Sequence, residues 1–213
     1  LAGLALLMVF VDLPLAVWFN ANVSNANYKV SESISAVGGS PIYIGCALLL
    51  YVFSLIATRR GWRSPLACGY HRVTRASLLV LSTMALGAIA VGLLKGLVAR
   101  ARPDEFFDRG FYGFGAAFSG HPFNSFPSSH TLTAFVIAAA VGQIRPQLRW
   151  PLLALAAIVA LARLVETDHY LSDVIASACI ALAIAAWLAP ILLDTQRGWP
   201  LRPPWRWLSS SPA

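Results

Sequence analysis

The chain has 213 residues, of which 58% are hydrophobic and 12% charged, and it carries a net charge of +7. Its mean hydropathy is +0.67; soluble domains are about 25% charged, so an ordinary soluble domain is excluded and lipid must be part of the solvent. The positive charge does not point to nucleic acid, because it falls in short clusters between apolar runs, as in the cytoplasmic loops of membrane proteins.

A membrane-spanning helix needs ~20 mostly apolar residues, and six segments are expected to supply one each. The first, 1–20, is interrupted by Asp12 and Pro14. It reads as a first membrane helix whose start is cut away, not as a signal-peptide core, since no basic leader precedes it and no clear small-residue cleavage site follows. An intramembrane carboxylate is a functional candidate by default, but the adjacent Leu13-Pro14 favours a structural role for Asp12 at a helix break. Residues 21–32 are polar and are expected to lie along the interface. The second span, 33–58, is uncharged between Glu32 and Arg59, and the third, 76–94, is uncharged between Arg75 and Lys95. A long connection rich in Gly, Phe and Pro follows over 99–129. The fourth span, 130–144, is short. The fifth, 151–169, is apolar for two-thirds of its length and then carries Arg163, Glu166 and Asp168. The sixth, 174–193, is uncharged between Asp173 and Asp194. With no repeat or linker, residues 1–213 are expected to form a single domain, an all-α bundle of six transmembrane helices.

The connections sort by charge. Arg59, Arg60, Arg63, Arg72 and Arg75 share one loop, Arg145 and Arg149 a second, and Arg197, Arg202 and Arg206 lie in the tail beside Trp199, Trp205 and Trp207. In a six-helix topology all three segments fall on one side, which the positive-inside rule makes cytoplasmic. Cys46, Cys68 and Cys179 have no metal-ligand spacing and read as unpaired packing residues.

Three polar groups remain at the opposite ends of the helices. They are Lys95-x6-Arg102-Pro103, Pro127-Ser128-Ser129-His130, and Arg163-x5-His169-x3-Asp173. The topology set by loop charge brings all three to one membrane face. Their residue types suit a phosphate ester. Phosphoryl transfer is mainly positioning and charge stabilisation, for which Lys95, Arg102 and Arg163 supply cations, the arginines through planar forks. Ser128 and the backbone around Ser129 would lie at a helix N-terminus, where unpaired N–H groups and the dipole favour anions. His169 is the expected nucleophile. Asp173, four residues on, would orient its imidazole and steady the cationic phosphohistidine. His130 is the expected general acid and then base.

These motifs resemble those of the type-2 phosphatidic acid phosphatase superfamily, which read K-x6-R-P, P-S-G-H and S-R-x5-H-x3-D. Ser129 stands where that family has Gly, and Ala162 where it has Ser; every charged and imidazole position is kept. The resemblance implies a membrane lipid phosphatase that needs no metal and no cofactor, with the same roles at the matching positions. Implied substrates are phosphatidate, phosphatidylglycerol phosphate, isoprenyl pyrophosphate or lipid A phosphate, with membrane lipids as surroundings, no nucleic acid, and no protein partner named by any feature of the sequence. The Ala-, Leu- and Arg-rich composition suggests a GC-rich bacterial genome, in which case the expected place is the bacterial inner membrane, with the site facing the periplasm or exterior. A phosphotransferase or diphosphatase would use the same pocket. A scaffold or transporter that kept the fold would be expected to have lost part of the phosphate-binding set.

Other polar residues get plainer readings. Arg100, Asp104, Glu105, Asp108 and Arg109 are expected on a solvated loop face. Glu166 and Asp168 either tune the site or pair with Arg163 or Arg109. Phe106, Phe107, Phe111, Tyr112, Phe114, Phe118, Phe123 and Phe126 read as packing or interfacial residues, or as the lining of a lipid entry path. His71 and His121 get no role.

Overall fold

The computed structural model describes residues 2–62 and 69–193. Arg63, Cys68, the tail arginines and the three tail tryptophans lie outside them. The helices are α1 (Ala2–Phe10), α2 (Asp12–Asn22), α3 (Asn25–Ala36), α4 (Ser40–Arg59), α5 (Gly69–Val98), α6 (Pro103–Arg109), α7 (Ser129–Ile144), α8 (Arg149–Val165) and α9 (Leu171–Leu192). Among the described residues there is no strand, only an isolated bridge between Arg100 and Phe114. The fold is all-α.

The expected break in the first span is a 45° bend between α1 and α2. Pro14 sits in the first turn of α2, where its missing N–H cannot continue the ladder of α1. Residues 21–32, expected along the interface, are mostly helical. Ser24 caps α3 by accepting from the Asn27 N–H at 3.3 Å, and α3 packs against α8. Gly39 and Pro41 then start α4.

Four helical stretches are long and apolar enough to cross a membrane: Asn25–Arg59, Gly69–Val98, Pro146–Val165 and Leu171–Leu192. The bent α1–α2 pair makes a fifth if counted as one span. α7, expected as a span of its own, has 16 residues, about 24 Å at ~1.5 Å per residue against a hydrocarbon core of ~30 Å.

α5, α7 and α9 form the centre, with α4 and α8 packed outside them. Their contact is built from Leu79, Val80 and Met84 of α5, Leu132, Val136 and Ala140 of α7, and Ala181 and Ala189 of α9. The small residues allow close helix approach, which drives packing where lipid is as apolar as the core. Large apolar side chains face outward instead: Ile42, Leu49 and Trp187 are each more than 60% exposed. In water such a surface would aggregate; in hydrocarbon it is the favourable one. The protein is an integral membrane protein. Cys46 and Cys179 are exposed and unpaired.

The connection from α5 to α7 is pinned to the bundle. Gly115 N–H donates to Ala99 O (2.7 Å), Ala101 N–H to Gly113 O (3.0 Å) and Ser125 N–H to Arg100 O (3.0 Å). Gly96 lets the Phe118 ring lie against α5 here: a Cβ on it would lie 2.3 Å from that ring, which would have to move. The end of α5, the starts of α7 and α9 and the end of α8 meet at this end of the bundle. Arg75, near the start of α5, reaches Leu192 O near the end of α9 at 3.3 Å, at the opposite, arginine-bearing end.

Candidate active site

The site is organised around Asp173 in the first turn of α9, where a carboxylate is favoured by the helix dipole. Its side chain is fully buried. Oδ2 accepts from Ser125 Oγ (2.6 Å) and from the Tyr170 N–H (2.9 Å). Oδ1 accepts from Arg100 Nη1 at 2.7 Å. His169 is also buried, with Nδ1 3.7 Å from Asp173 Oδ2. That distance is ion-pair range, beyond a hydrogen bond, and His169 Nδ1 has no hydrogen-bond partner. Burial pushes the His169 imidazole well below the usual histidine range; the Asp173 carboxylate pulls it back up, and the charges of Lys95 and Arg102 push it further down. The ring is therefore neutral at physiological pH, the form in which a histidine can act as a nucleophile.

The cations come from three elements. Lys95, near the end of α5, donates to the Asn124 carbonyl, and Arg102 Nε donates to Asn124 Oδ1 at 2.8 Å. Asn124 therefore holds the two charges of the first motif side by side. Arg163, in the last turn of α8, is ion-paired to Glu166 and Asp168 and reaches Ser35 Oγ of α3 at 3.3 Å. Asp168 also faces Arg102 at 3.7 Å. The charges of Arg163, Asp168, Arg102 and Lys95 all act on the His130 ring, and those of Lys95 and Arg102 on His169. Lys95 and Arg102 are thus joined through Asn124, Arg102 and Arg163 through Asp168, and the start of α7, which carries His130, is tied to Asp173 beside His169.

Ser128 is the N-cap of α7. Its hydroxyl is buried and accepts from the Thr131 N–H (3.5 Å) and the Thr131 hydroxyl (3.1 Å). Its own N–H donates to Asp173 O at 3.4 Å, tying the start of α7 to α9. Ser129 is the exposed first residue of α7, followed by the half-buried His130. Gly38, in the α3–α4 turn, backs His130: a Cβ there would lie 3.0 Å from His130 Cβ, His130 O and Val159 Cγ1. A cavity of about 240 Å³ runs from Ser129 and Ser40 down between α4, α5 and α7, past Met84, Gly92 and Val136.

Two sequence readings are corrected. Arg100 was expected on a solvated face, yet it is 2% exposed and joins Asp173 to Asp12. Glu105, expected beside it in solvent, is also buried; Asp104, Asp108 and Arg109 are exposed as expected. Charged residues in a Gly- and Pro-rich connection look solvated from sequence because their partners lie far away along the chain. Glu166 and Asp168 pair with Arg163, one of the two partners foreseen. Asn124, Ser125 and Ser35 were not foreseen: an uncharged polar residue in a loop carries no period or spacing to mark it. Of the aromatics, Phe126 is buried while Phe111, Phe114 and Phe118 are exposed. Among the described residues no three His, Cys, Asp or Glu side chains are grouped to hold a metal ion.

Fold and site define a helical membrane protein that gathers lysine, arginine and two histidines at one end of its bundle. It belongs to the PAP2 superfamily, whose profile matches residues 76–197 and so contains all three motifs. The chain is 32% identical over 196 residues to the lipid A 1-phosphatase of Rhizobium johnstonii, covering 89% of this chain and 75% of that one. It is 30% identical over 193 residues to the lipid A 1-phosphatase of Rhizobium etli, covering 88% and 78%. Its fold is similar to the crystal structure of Aquifex aeolicus LpxE, with a TM-score of 0.60 at 18% identity over 83% of this chain and 93% of that one. It is also similar to the first transmembrane PAP2-type phosphatidylglycerolphosphate phosphatase from Bacillus subtilis, with a TM-score of 0.58 at 18% identity over 88% and 92%.

Proposed function

We propose that the chain is a metal-independent lipid phosphatase, a phosphoric monoester hydrolase working through a phosphohistidine, with lipid A phosphate as its preferred substrate class. The observation that supports this reading is the set of contacts that join Lys95 to Arg102 through Asn124, Arg102 to Arg163 through Asp168, and His169 to a buried Asp173. The similarity to two lipid A 1-phosphatases supports the substrate class.

His169 attacks phosphorus through Nε2, and the bond to the lipid oxygen breaks. Lys95, Arg102, Arg163 and the N–H groups at the start of α7 take up charge on the equatorial oxygens. His130 gives its proton to the departing lipid oxygen, which leaves as a hydroxyl. It then takes one from the water that attacks phosphorus; the phosphorus–nitrogen bond breaks, releasing phosphate and regenerating His169. Asp173 balances the positive ring of the intermediate. Ser128 acts through the start of α7, since its hydroxyl is committed to the cap; Ser129 is the residue at the open face. The lipid chain occupies the cavity beside Ser129, which is mostly apolar in its lining.

In this reading residues 1–213 are one domain of six spans: the α1–α2 pair, α4, α5, α7, α8 and α9. α7 is short because it begins below the membrane surface, where the site is recessed. The arginine-bearing end is cytoplasmic, so the site faces the periplasm or exterior of a bacterial inner membrane.

Purified protein in detergent is expected to release phosphate from a lipid A 1-phosphate, in preference to phosphatidate, phosphatidylglycerol phosphate and a polyprenyl pyrophosphate. Vanadate should inhibit it, EDTA should not, and His169→Ala should abolish turnover in a folded protein. Full activity in that variant, or EDTA inhibition reversed by metal, overturns the mechanism; preference for another lipid overturns the substrate class alone.

A further inference from the structure

Behind Asp173 lies a second layer of charge that the three motifs do not contain. Arg100 Nη1 donates to Asp173 Oδ1 and to Ser172 Oγ, both at 2.7 Å. Arg100 Nη2 donates to Asp12 Oδ2 at 2.8 Å and to the Tyr112 hydroxyl at 3.0 Å. The Tyr170 ring lies 4.1 Å from the guanidinium carbon. Asp12 in turn accepts from the Ser172 N–H at 3.0 Å and from the Ser172 hydroxyl, so it also caps the first turn of α9. The Asp12 and Asp173 side chains are 0% exposed and that of Arg100 is 2% exposed. Asp12 lies outside the 76–197 match to the family, at the bend between α1 and α2.

The charge count of this cluster is informative. A lone guanidinium against Asp173 would make a neutral pair, and a neutral pair offers little to a cationic ring beside it. Here one guanidinium is shared between two carboxylates, so the trio keeps one net negative charge. Asp173 Oδ2, the oxygen that Arg100 does not hold, is the one that faces His169.

We propose that Asp12 and Arg100 are positioning residues of the active site: Arg100 fixes the Asp173 carboxylate with one oxygen turned to His169, and Asp12 offsets the Arg100 charge so that Asp173 can stabilise the phosphorylated ring. The α1–α2 bend thus carries part of the catalytic electrostatics. This rests on the phosphohistidine reading above.

The charged groups acting on His169 are Asp173 from α9, Lys95 from α5 and Arg102 from the connection after it. Those acting on Arg100 include Asp173, Asp12 and Tyr112. Asp12→Asn, nearly isosteric, removes one negative charge from behind Asp173. A protonated or phosphorylated His169 becomes less favourable. kcat should fall roughly 10–100-fold, by analogy with the loss seen when the outer partners that orient a metal-binding histidine are removed, with KM little changed. The acid limb of the pH profile should move down by about one unit. Arg100→Gln does the opposite to charge, leaving two facing carboxylates, and should move the limb upward. The double variant Asp12→Asn/Arg100→Gln restores one net negative charge and should return the limb to the wild-type position. Opposite shifts that cancel are a signature that loss of structure does not produce.

The experiment is phosphate release from a lipid phosphate against pH for wild type, the two single variants and the double, with His169→Ala as the inactive reference. If Arg100→Gln does not fold, Asp12→Asn and the double variant still decide. A wild-type limb position and kcat in Asp12→Asn overturn the inference while leaving the phosphatase reading intact. A wild type that releases no phosphate, or an active His169→Ala, overturns that reading and this inference with it.

Discussion

Asp168 is ion-paired to Arg163 and stands 3.7 Å from Arg102, so one carboxylate faces two of the cations proposed to bind phosphate. It is the more exposed member of the Arg163 pair, at 30% against 9%. An arriving phosphate must displace it or share its partners. Asp168→Asn removes that competition and one repulsive charge. KM for a lipid phosphate is expected to fall a few-fold, with a smaller fall in kcat because the Asp168 charge also acts on the His130 ring. Steady-state kinetics over a range of lipid mole fractions check this. A rise in KM would mean that Asp168 orients Arg163 instead of masking it.

The pH dependence follows from the state of His169. Burial holds its imidazole below the ordinary histidine value of about 6.5. A lowered value means that the neutral, attacking form persists into acid and is lost only below that range. The acid limb of kcat/KM, which reports the free enzyme, is therefore expected below about pH 6.5. The second ionisation of a phosphate monoester, near pH 6, titrates in the same region. Two substrates of different phosphate acidity separate the two effects: the limb that does not move between them belongs to the enzyme. An unmoving limb at or above about 6.5 would show that His169 is solvated in the working enzyme.

What the sequence made legible was charge in an apolar chain. Lys95, Arg102, His130, Arg163, His169 and Asp173 stand out because membrane segments rarely carry such residues without cause, and the loop arginines oriented the helices around them. Arg100 failed the same test because it sits in a connection where charge is ordinary, and its partner Asp12 is 88 residues away. Pro14 beside Asp12 points to a helix break, and the bend is there; the proline explains the bend but not the carboxylate. α3 was hidden by its Ser and Asn content, which suits a loop as well as a capped helix packed on α8. Asn124 and Ser125 could be found only once the connection after α6 had folded back onto 99–102.

The cavity beside Ser129 offers a test of where the lipid chain lies. Gly92 lines it, and a Cβ at Gly92 would meet nothing within 4 Å. Gly92→Leu should therefore fill the cavity without disturbing the packing of α5. Its effect is expected on long-chain substrates, with kcat/KM reduced about tenfold, the loss of one or two buried methylene contacts at ~0.8 kcal/mol each. A short, water-soluble phosphate ester should be hydrolysed as before. Equal losses on both substrates would move the chain to another groove.

Gly38 gives the most specific handle on the general acid. It belongs to the α3–α4 turn and lies outside every motif, yet a Cβ on it would come within 3.0 Å of both Cβ and O of His130. Real Cβ contacts are rarely so tight, and Val159 closes the third side at the same distance. The turn has little room to retreat, so Gly38→Ala should push His130 by a few tenths of an ångström. A proton donor displaced from its hydrogen-bond geometry loses part of a contribution that typically amounts to roughly 10²–10⁴-fold. The loss should depend on the leaving group. A lipid alkoxide needs the proton, whereas a nitrophenolate leaves without it. Gly38→Ala is therefore expected to slow the lipid substrate at least tenfold more than p-nitrophenyl phosphate, and His130→Ala should show the same bias more strongly. A uniform loss on both substrates would mean that the turn had shifted the cations along with the imidazole, and His130 would lose its assignment as the acid.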